Sequence, residues 1–319
     1  MTKRIWLIIL VLLAGAHLAA ADSAPPLYKQ LGGGESEFTA TKKVALNRVA
    51  LTKGMRWWVL AWRNKLKKPY VLKPGMSIKI NNTHIVPTLV HDGLVINLPE
   101  LNLYYFKNGV YQRRYALAVG KRSWPTPTGT YEIANKRRNP TWNVPPSIQE
   151  EMESMGREVI EKVPPGPKNP LGKFWMGTSA PGVGIHATNR PWSVGYSTSH
   201  GCIRMLPREI AGLFPQIEVG TPVKIIYQPL KLALTPNGRI YLEANRNIYH
   251  WVLHSHEWVK AMADYYGLAD RIDWKKVRSV LKIREGVARD ITKEAPVPAP
   301  EAPKQVRLSP LHDKKTKLE

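Results

Sequence analysis

The sequence predicts a mainly β protein: a sandwich or barrel of short strands interrupted by one long insertion, preceded by a small α+β module and followed by an α-rich accessory segment. Two observations carry this. From Gly93 onward, short apolar or aromatic runs of strand length alternate with Gly and Pro punctuation. The Pro-containing stretch from Asn135 to Gly172 then breaks that rhythm before strand-length runs resume. So long an interruption in a compact β domain reads as a lid or binding loop. The 319 residues are enough for one good core and a small accessory module.

At the N-terminus, Thr2 to Arg4 are basic, Ile5 to Gly15 form an uncharged apolar run, and Ala19-Ala20-Ala21 place small residues before Asp22. Residues 1–21 are therefore expected to be a secretory signal peptide. Their apolar core is shorter than the roughly 20 residues of a membrane span. Residues 22–46 are expected to be a linker, since Ala24 to Ser36 carry Pro and Gly without periodicity. Residues 47–88 read as a small module. It has an aromatic-rich helix over Met55 to Trp62, turns at Lys67 to Pro69 and at Lys73-Pro74-Gly75, and an alternating strand over Ser77 to Ile80.

Residues 92–228 hold the main β domain. Leu94 to Leu98 and Leu101 to Phe106 are strand-like, Asn108-Gly109 is a hairpin signal before Val110 to Val119, and Thr126 to Gly129 turn into Tyr131 to Ala134. Within the insertion, Ile148 to Glu161 read as a helix. Phe174 to Met176, Val183 to His186 and Thr221 to Tyr227 resume the strands. Residues 229–294 read as a hairpin, Leu232 to Leu242 around Asn237-Gly238, followed by helices over Ser255 to Tyr266 and Trp274 to Glu285. Residues 295–319 are a Pro- and Lys-rich tail, expected to be disordered.

The formal net charge of +23 calls for an anionic partner. No helix-turn-helix, zinc-finger or RNA-binding aromatic motif accompanies it, so nucleic acid is not expected. An exported protein meets peptidoglycan carboxylates and anionic lipids instead. Export also changes the meaning of the single cysteine. A structural use would bring an even number, whereas one unpaired thiol in an oxidising compartment is costly unless used.

That cysteine, Cys202, follows Ser199-His200-Gly201, with His186 upstream at the end of a short strand-like run. A thiol with an ordinary pKa of about 8.5 needs a base or a positive environment to act as a nucleophile at neutral pH. Both histidines qualify, and the residues alone do not rank them. Gly201 permits positive φ just before the nucleophile. Pro207 marks the start of a short helix beyond it. Arg204 lies two residues after Cys202, which in strand geometry places both on one side, where a guanidinium can pair with a carboxylate. Asn189, Arg190 and Trp192 are expected to shape the cleft. Ser199 joins them as a polar lining residue, since no G-x-S-x-G context supports a serine nucleophile.

Two resemblances follow from these residues. The stretches Ile185-His186-Ala187-Thr188-Asn189 and Ser199-His200-Gly201-Cys202-Ile203-Arg204 resemble the signature of the L,D-transpeptidase (YkuD catalytic domain) family. Supporting motifs are VINLPELNLYYF from Val95, TPTGTY from Thr126, NPTW from Asn139 and NPLG from Asn169. The layout is similar to that of enterobacterial-type periplasmic members. Residues 47–88 resemble a degenerate LysM module, a βααβ glycan-binding fold, with Thr52-Lys53-Gly54 and Leu72 to Ile80 in the places of its opening and closing motifs.

The first resemblance implies a YkuD-type β-sandwich with a lid insertion, a periplasmic location, and peptidoglycan stem peptides as partners. It implies that Cys202 attacks the meso-diaminopimelate carbonyl of a tetrapeptide stem, releases D-Ala and forms a thioester that an amine resolves. His186 would be the general base, oriented by the carbonyl of Ala187. His200 would have a supporting or oxyanion role, and the backbone at Gly201 would face the oxyanion. Ala187 stands where many relatives have Gly, a departure of little consequence if only its carbonyl is used. No cofactor or metal is implied.

The motif does not read the acceptor. A diaminopimelate amine gives a 3-3 cross-link, an outer-membrane lipoprotein gives lipoprotein attachment, and water gives a carboxypeptidase or amidase. A non-catalytic peptidoglycan-binding protein is the alternative from a different class. Papain-like endopeptidases place Cys before His, the reverse of His186 and Cys202. His250, His254 and His256 lack the H-E-x-x-H context of a zinc site.

Overall fold

The computed structural model describes residues 25–294, so the expected signal peptide and tail lie outside the described residues. Among those described, no helix is long and apolar enough to cross a membrane.

Asn108 and Gly109 both take positive φ, 53° and 71°, the backbone that a tight primed hairpin turn needs. They fold Asn102–Lys107 antiparallel onto Val110–Gly120. Around this hairpin a nine-stranded sheet closes into two facing layers. In the first layer, Gly93–Asn97 runs antiparallel to Asn102–Lys107 and parallel to Pro222–Ile226. In the second, Gly184–His186 lies between Phe174–Thr178 and Ile203–Met205.

Two long strands belong to both layers. Val110–Gly120 pairs first with Asn102–Lys107 and then, through Leu117 and Ala118, with Ile203–Met205. Gly129–Arg138 pairs first with Pro222–Ile226 and then, past a register shift at Ile133/Asn135, with Phe174–Thr178. Strands that change layer at a bulge join the sheets at their corners. The expected sandwich is therefore present, with shared strands rather than two separate sheets. Leu94, Ile96, Leu103, Leu117, Ile133, Met176, Ile185, Ile203 and Ile225 fill the space between the layers.

The expected linker, residues 22–46, is corrected where it is described. Leu27–Tyr28 is an edge strand parallel to Leu230–Leu234, and Leu31–Gly32 pairs with His84–Ile85. Glu35–Thr39 is a five-residue strand antiparallel to Ser77–Asn81. The N-terminal module thus starts near residue 35 rather than 47 and runs strand, helix Leu46–Thr52, helix Trp57–Arg63, strand. Leu46, Val59, Leu60, Ile78 and Ile80 form its core. It packs on the β domain through Leu51, Ala116 and Val194.

The C-terminal segment forms a four-stranded sheet of Leu27–Tyr28, Leu230–Leu234, Ile240–Ala244 and Arg289–Asp290. Helices Ser255–Tyr265 and Trp274–Ile283 cover it, burying Val259, Met262 and Val277 against Leu232 and Leu242. Asp273 caps the second helix by accepting from the backbone N–H groups of Lys275 and Lys276.

The insertion helix is also shorter than expected. It spans Pro146–Ser154 and stops where Gly156 takes φ 63°, a common helix-ending conformation. The chain through Glu161 then returns to pair Lys162–Val163 with Trp142–Asn143. The fully buried Asn169 pins both ends of this excursion. Its Nδ2 donates to the carbonyls of Pro140 at 2.8 Å and Val163 at 3.1 Å.

Candidate active site

Parallel pairing of Gly184–His186 with Ile203–Met205 sets His186 opposite Arg204, and antiparallel pairing sets Trp175 on the other side of His186. The Trp175 indole stacks on the imidazole at 5.8 Å. It also lies so close over Gly184 that a Cβ there would sit 2.3 Å from the ring, so glycine is required by space. Gly201 differs: a Cβ would meet nothing, but φ is 103°, so glycine is required by the turn that presents Cys202.

Three side chains hold that turn. Thr126 Oγ1 donates to the carbonyl of Gly201 at 2.8 Å and accepts from the N–H of Gly120 at 2.9 Å. The hydroxyl of Tyr249 accepts from the N–H of Thr126 at 3.1 Å. Ser199 Oγ donates to the carbonyl of Cys202 at 2.5 Å. Ser199 is thus a buried brace of the nucleophile's backbone as well as part of the cleft wall. The backbone N–H groups of Gly201 and Cys202 find no acceptor among the described residues.

Cys202 and His186 line the same cleft, of about 520 Å³. The Cys202 thiol donates to the carbonyl of Gly182 at 3.3 Å. Burial pushes the thiol up, while the N–H of Gly184 and the charge of Arg204 oppose that shift. His186 Nδ1 donates to the carbonyl of Ala187 at 2.5 Å, which leaves Nε2 as the free lone pair. Burial first, and Arg204 second, hold His186 down to about 4. At neutral pH the site therefore rests as thiol and neutral imidazole.

His200 also lines the cleft, but its Nε2 is 2.5 Å from Glu151 Oε2 on the insertion helix. The same carboxylate meets Lys121 Nζ at 3.1 Å. Lys121 and His200 hold the Glu151 carboxyl below the usual carboxylate range. This bridge fastens the helix over the site, and neither Glu151 nor Tyr249 belongs to a motif that sequence reasoning singled out. Glu151→Gln is expected to loosen it. Hydrogen exchange of segment 142–163 should rise in the variant, and unchanged protection would show that the bridge does not hold the insertion.

The cleft is cationic. Arg204 and Arg190 line it without a carboxylate partner among the described residues, and the nearest bond of Arg204 is to Ser193 Oγ at 3.4 Å. Asn189 donates to the carbonyl of Lys168 at 3.1 Å and keeps a buried Oδ1 without a partner. Trp192, expected to shape the cleft, is 67% exposed and does not line this cleft. It lies in the short turn Pro191–Ser193, whose Ser193 faces inward instead. The methyl of Ala187 packs toward Gly172, and its carbonyl serves His186.

A free thiol, an imidazole of fixed tautomer and unpaired arginines in one cleft of a mainly β domain define a site suited to acyl transfer on anionic substrates. Residues 91–225 match the model of the L,D-transpeptidase catalytic domain. The chain is 31% identical over 255 residues to "Probable L,D-transpeptidase YcfS" of Escherichia coli K12, covering 76% of this chain and 79% of that protein. It is 32% identical over 180 residues to "Probable L,D-transpeptidase YbiS" of the same organism, covering 55% and 58% respectively. The solution structure of the Enterococcus faecium L,D-transpeptidase catalytic domain aligns with 43% of this chain and 99% of that one, at 26% identity and a TM-score of 0.34. The chain belongs to the L,D-transpeptidase family.

Proposed function

We propose that the chain is a cysteine-dependent L,D-transpeptidase acting on peptidoglycan stem peptides in the periplasm. The observation that carries this is the shared cleft of Cys202 and His186, with Nδ1 committed to Ala187 and two unpaired arginines beside it. The Cys202 proton passes to His186 Nε2 as the sulfur attacks the meso-diaminopimelate carbonyl. The free N–H groups of Gly201 and Cys202 would receive the oxyanion. Collapse breaks the C–N bond to D-Ala, whose amine takes the proton from His186. An acceptor amine then attacks the thioester, gives its proton to His186, and the sulfur leaves as the thiol. His200, committed to Glu151, fits the supporting role better than direct contact with the oxyanion.

The strand-helix-helix-strand order over residues 35–81 supports a LysM-like module, which would add glycan affinity. Disaccharide-tetrapeptide incubated with the purified chain should give a protein mass increased by the substrate less D-Ala. Cys202→Ala should give none. Equal product formation by the two proteins would falsify the thiol mechanism. A cross-linked dimer identifies an amine acceptor, and a trimmed tripeptide identifies water.

A further inference from the structure

A second basic cavity of about 660 Å³ lies where the three parts of the molecule meet. Arg56 comes from the N-terminal module, Ser197 from the β domain, and Arg246, His250 and Arg284 from the C-terminal segment. Three guanidiniums share this cavity, and none has a carboxylate partner among the described residues. Only neutral groups hold them. Arg56 Nη2 donates to the carbonyl of Pro99 at 3.0 Å. Arg284 donates to the carbonyl of Leu281 at 2.9 Å and to Ser255 Oγ at 3.3 Å. Arg246 lies over the Trp58 ring at 4.6 Å.

Gathering like charges is unfavourable unless something anionic compensates them. Burial and the neighbouring Arg246 push the Arg56 guanidinium down to about 10, so it stays charged at neutral pH and the repulsion persists. A fork of guanidiniums without a protein acid is the donor set for a carboxylate or phosphate.

Position favours a carboxylate of the peptide substrate. The strand Ser197–Ser199 begins at this cavity and ends in the wall of the catalytic cleft. Residues two apart on a strand face the same side and are separated by roughly 7 Å. The two cavities thus open at the two ends of one three-residue strand.

We propose that Arg56, Arg246 and Arg284 form a second carboxylate subsite, which holds an acidic group of the stem peptide whose reacting carbonyl lies at Cys202. This rests on the function proposed above, and it gives the flanking segments a direct part in substrate binding. Arg246 is the residue to test, because it is exposed and stacked on Trp58 rather than built into the core.

The test uses the full chain carrying Cys202→Ala, titrated calorimetrically with disaccharide-tetrapeptide and with the same compound amidated at its carboxylates. Adding Arg246→Gln should weaken the free-acid ligand about tenfold and leave the amidated one unchanged. Arg246→Lys should restore most of the loss. In the chain with Cys202 intact, Arg246→Gln should lower kcat/KM by a similar factor through KM. Affinity for the free-acid ligand unchanged from the parent in both the Arg246→Gln chain and the Arg246→Gln/Arg284→Gln chain would overturn the subsite. So would Arg246-dependent binding of inorganic phosphate without any effect on the peptide. Failure of the intact chain to form an acyl-enzyme sinks the thiol mechanism instead, and the amidation contrast does not depend on that outcome.

Discussion

His186→Gln is expected to slow acyl-enzyme formation at Cys202 by about a hundredfold to ten-thousandfold, the usual range for loss of a positioned general base. Glutamine keeps much of the bulk beside Trp175 and can still donate to the Ala187 carbonyl, so the loss isolates the basic nitrogen. Burial holds His186 down to about 4 and pushes the Cys202 thiol up. Above pH 4 the imidazole is therefore neutral, and at neutral pH the thiol keeps its proton. The acid limb of kcat/KM for the unsubstituted chain should lie near pH 4, not near the ordinary histidine value of about 6.5. Stability follows the same sign. The unfolded chain binds the His186 proton below about 6.5 and the folded chain only below about 4, so stability present above 6.5 drains away as pH falls between them. Single-turnover mass spectrometry across pH measures the rate. A variant within threefold of the parent, or an acid limb at 6.5, would remove His186 from the role of base.

What the sequence disclosed follows the range of the interactions. Cys202, His200, Gly201 and Arg204 lie within five positions, and the positive φ of Gly201 and the helix start at Pro207 are local backbone properties. Local chemistry leaves a local trace. The Glu151 bridge to His200 spans 49 positions and the Tyr249 bond to Thr126 spans 123. Nothing near either residue announces its partner. The linker expectation failed for a related reason. Leu27–Tyr28 and Leu31–Gly32 are two-residue strands, too short to show an alternation of period two, and their order comes from partners more than 50 residues away. Glu35–Thr39 has one apolar residue, Phe38, because its other side chains face solvent. The early end of the insertion helix was legible, since Gly156 is an ordinary helix stop that the charged run through Glu161 obscured. Trp192 is close to the cleft residues in sequence, yet its side chain is exposed and does not line the cleft.

Lys231→Met is expected to destabilise the whole molecule by about 3–5 kcal/mol, the cost of breaking a buried ion pair from one side. Lys231 is fully buried between Glu100 at 2.7 Å and Glu243 at 3.2 Å, and it donates to the carbonyl of Ile85. Those partners come from the β domain, the C-terminal sheet and the N-terminal region, so a single ammonium joins three parts of the chain. The rest of the network is committed. Tyr104 and Asn97 donate to Glu100, Asn245 donates to Glu243 at 3.0 Å, and the N–H of Ile85 donates to Glu243 at 2.7 Å. Without Lys231 the two carboxylates face each other in a dry site, and Glu243, already pushed up by burial, rises further. A carboxyl raised on folding binds its proton more tightly in the folded state, so its penalty grows as pH rises. The variant should therefore recover part of its deficit on acidification. Adding Glu243→Gln should recover more, because it removes one of the two carboxylates left facing each other. Denaturant unfolding of the three proteins at two pH values reads all of this. A Lys231→Met midpoint that corresponds to less than about 1 kcal/mol of loss would mean that the cluster is not a joint between the segments. In that case the Arg56, Arg246 and Arg284 cavity, assembled from the same three parts, would lose the fixed geometry that a carboxylate subsite needs.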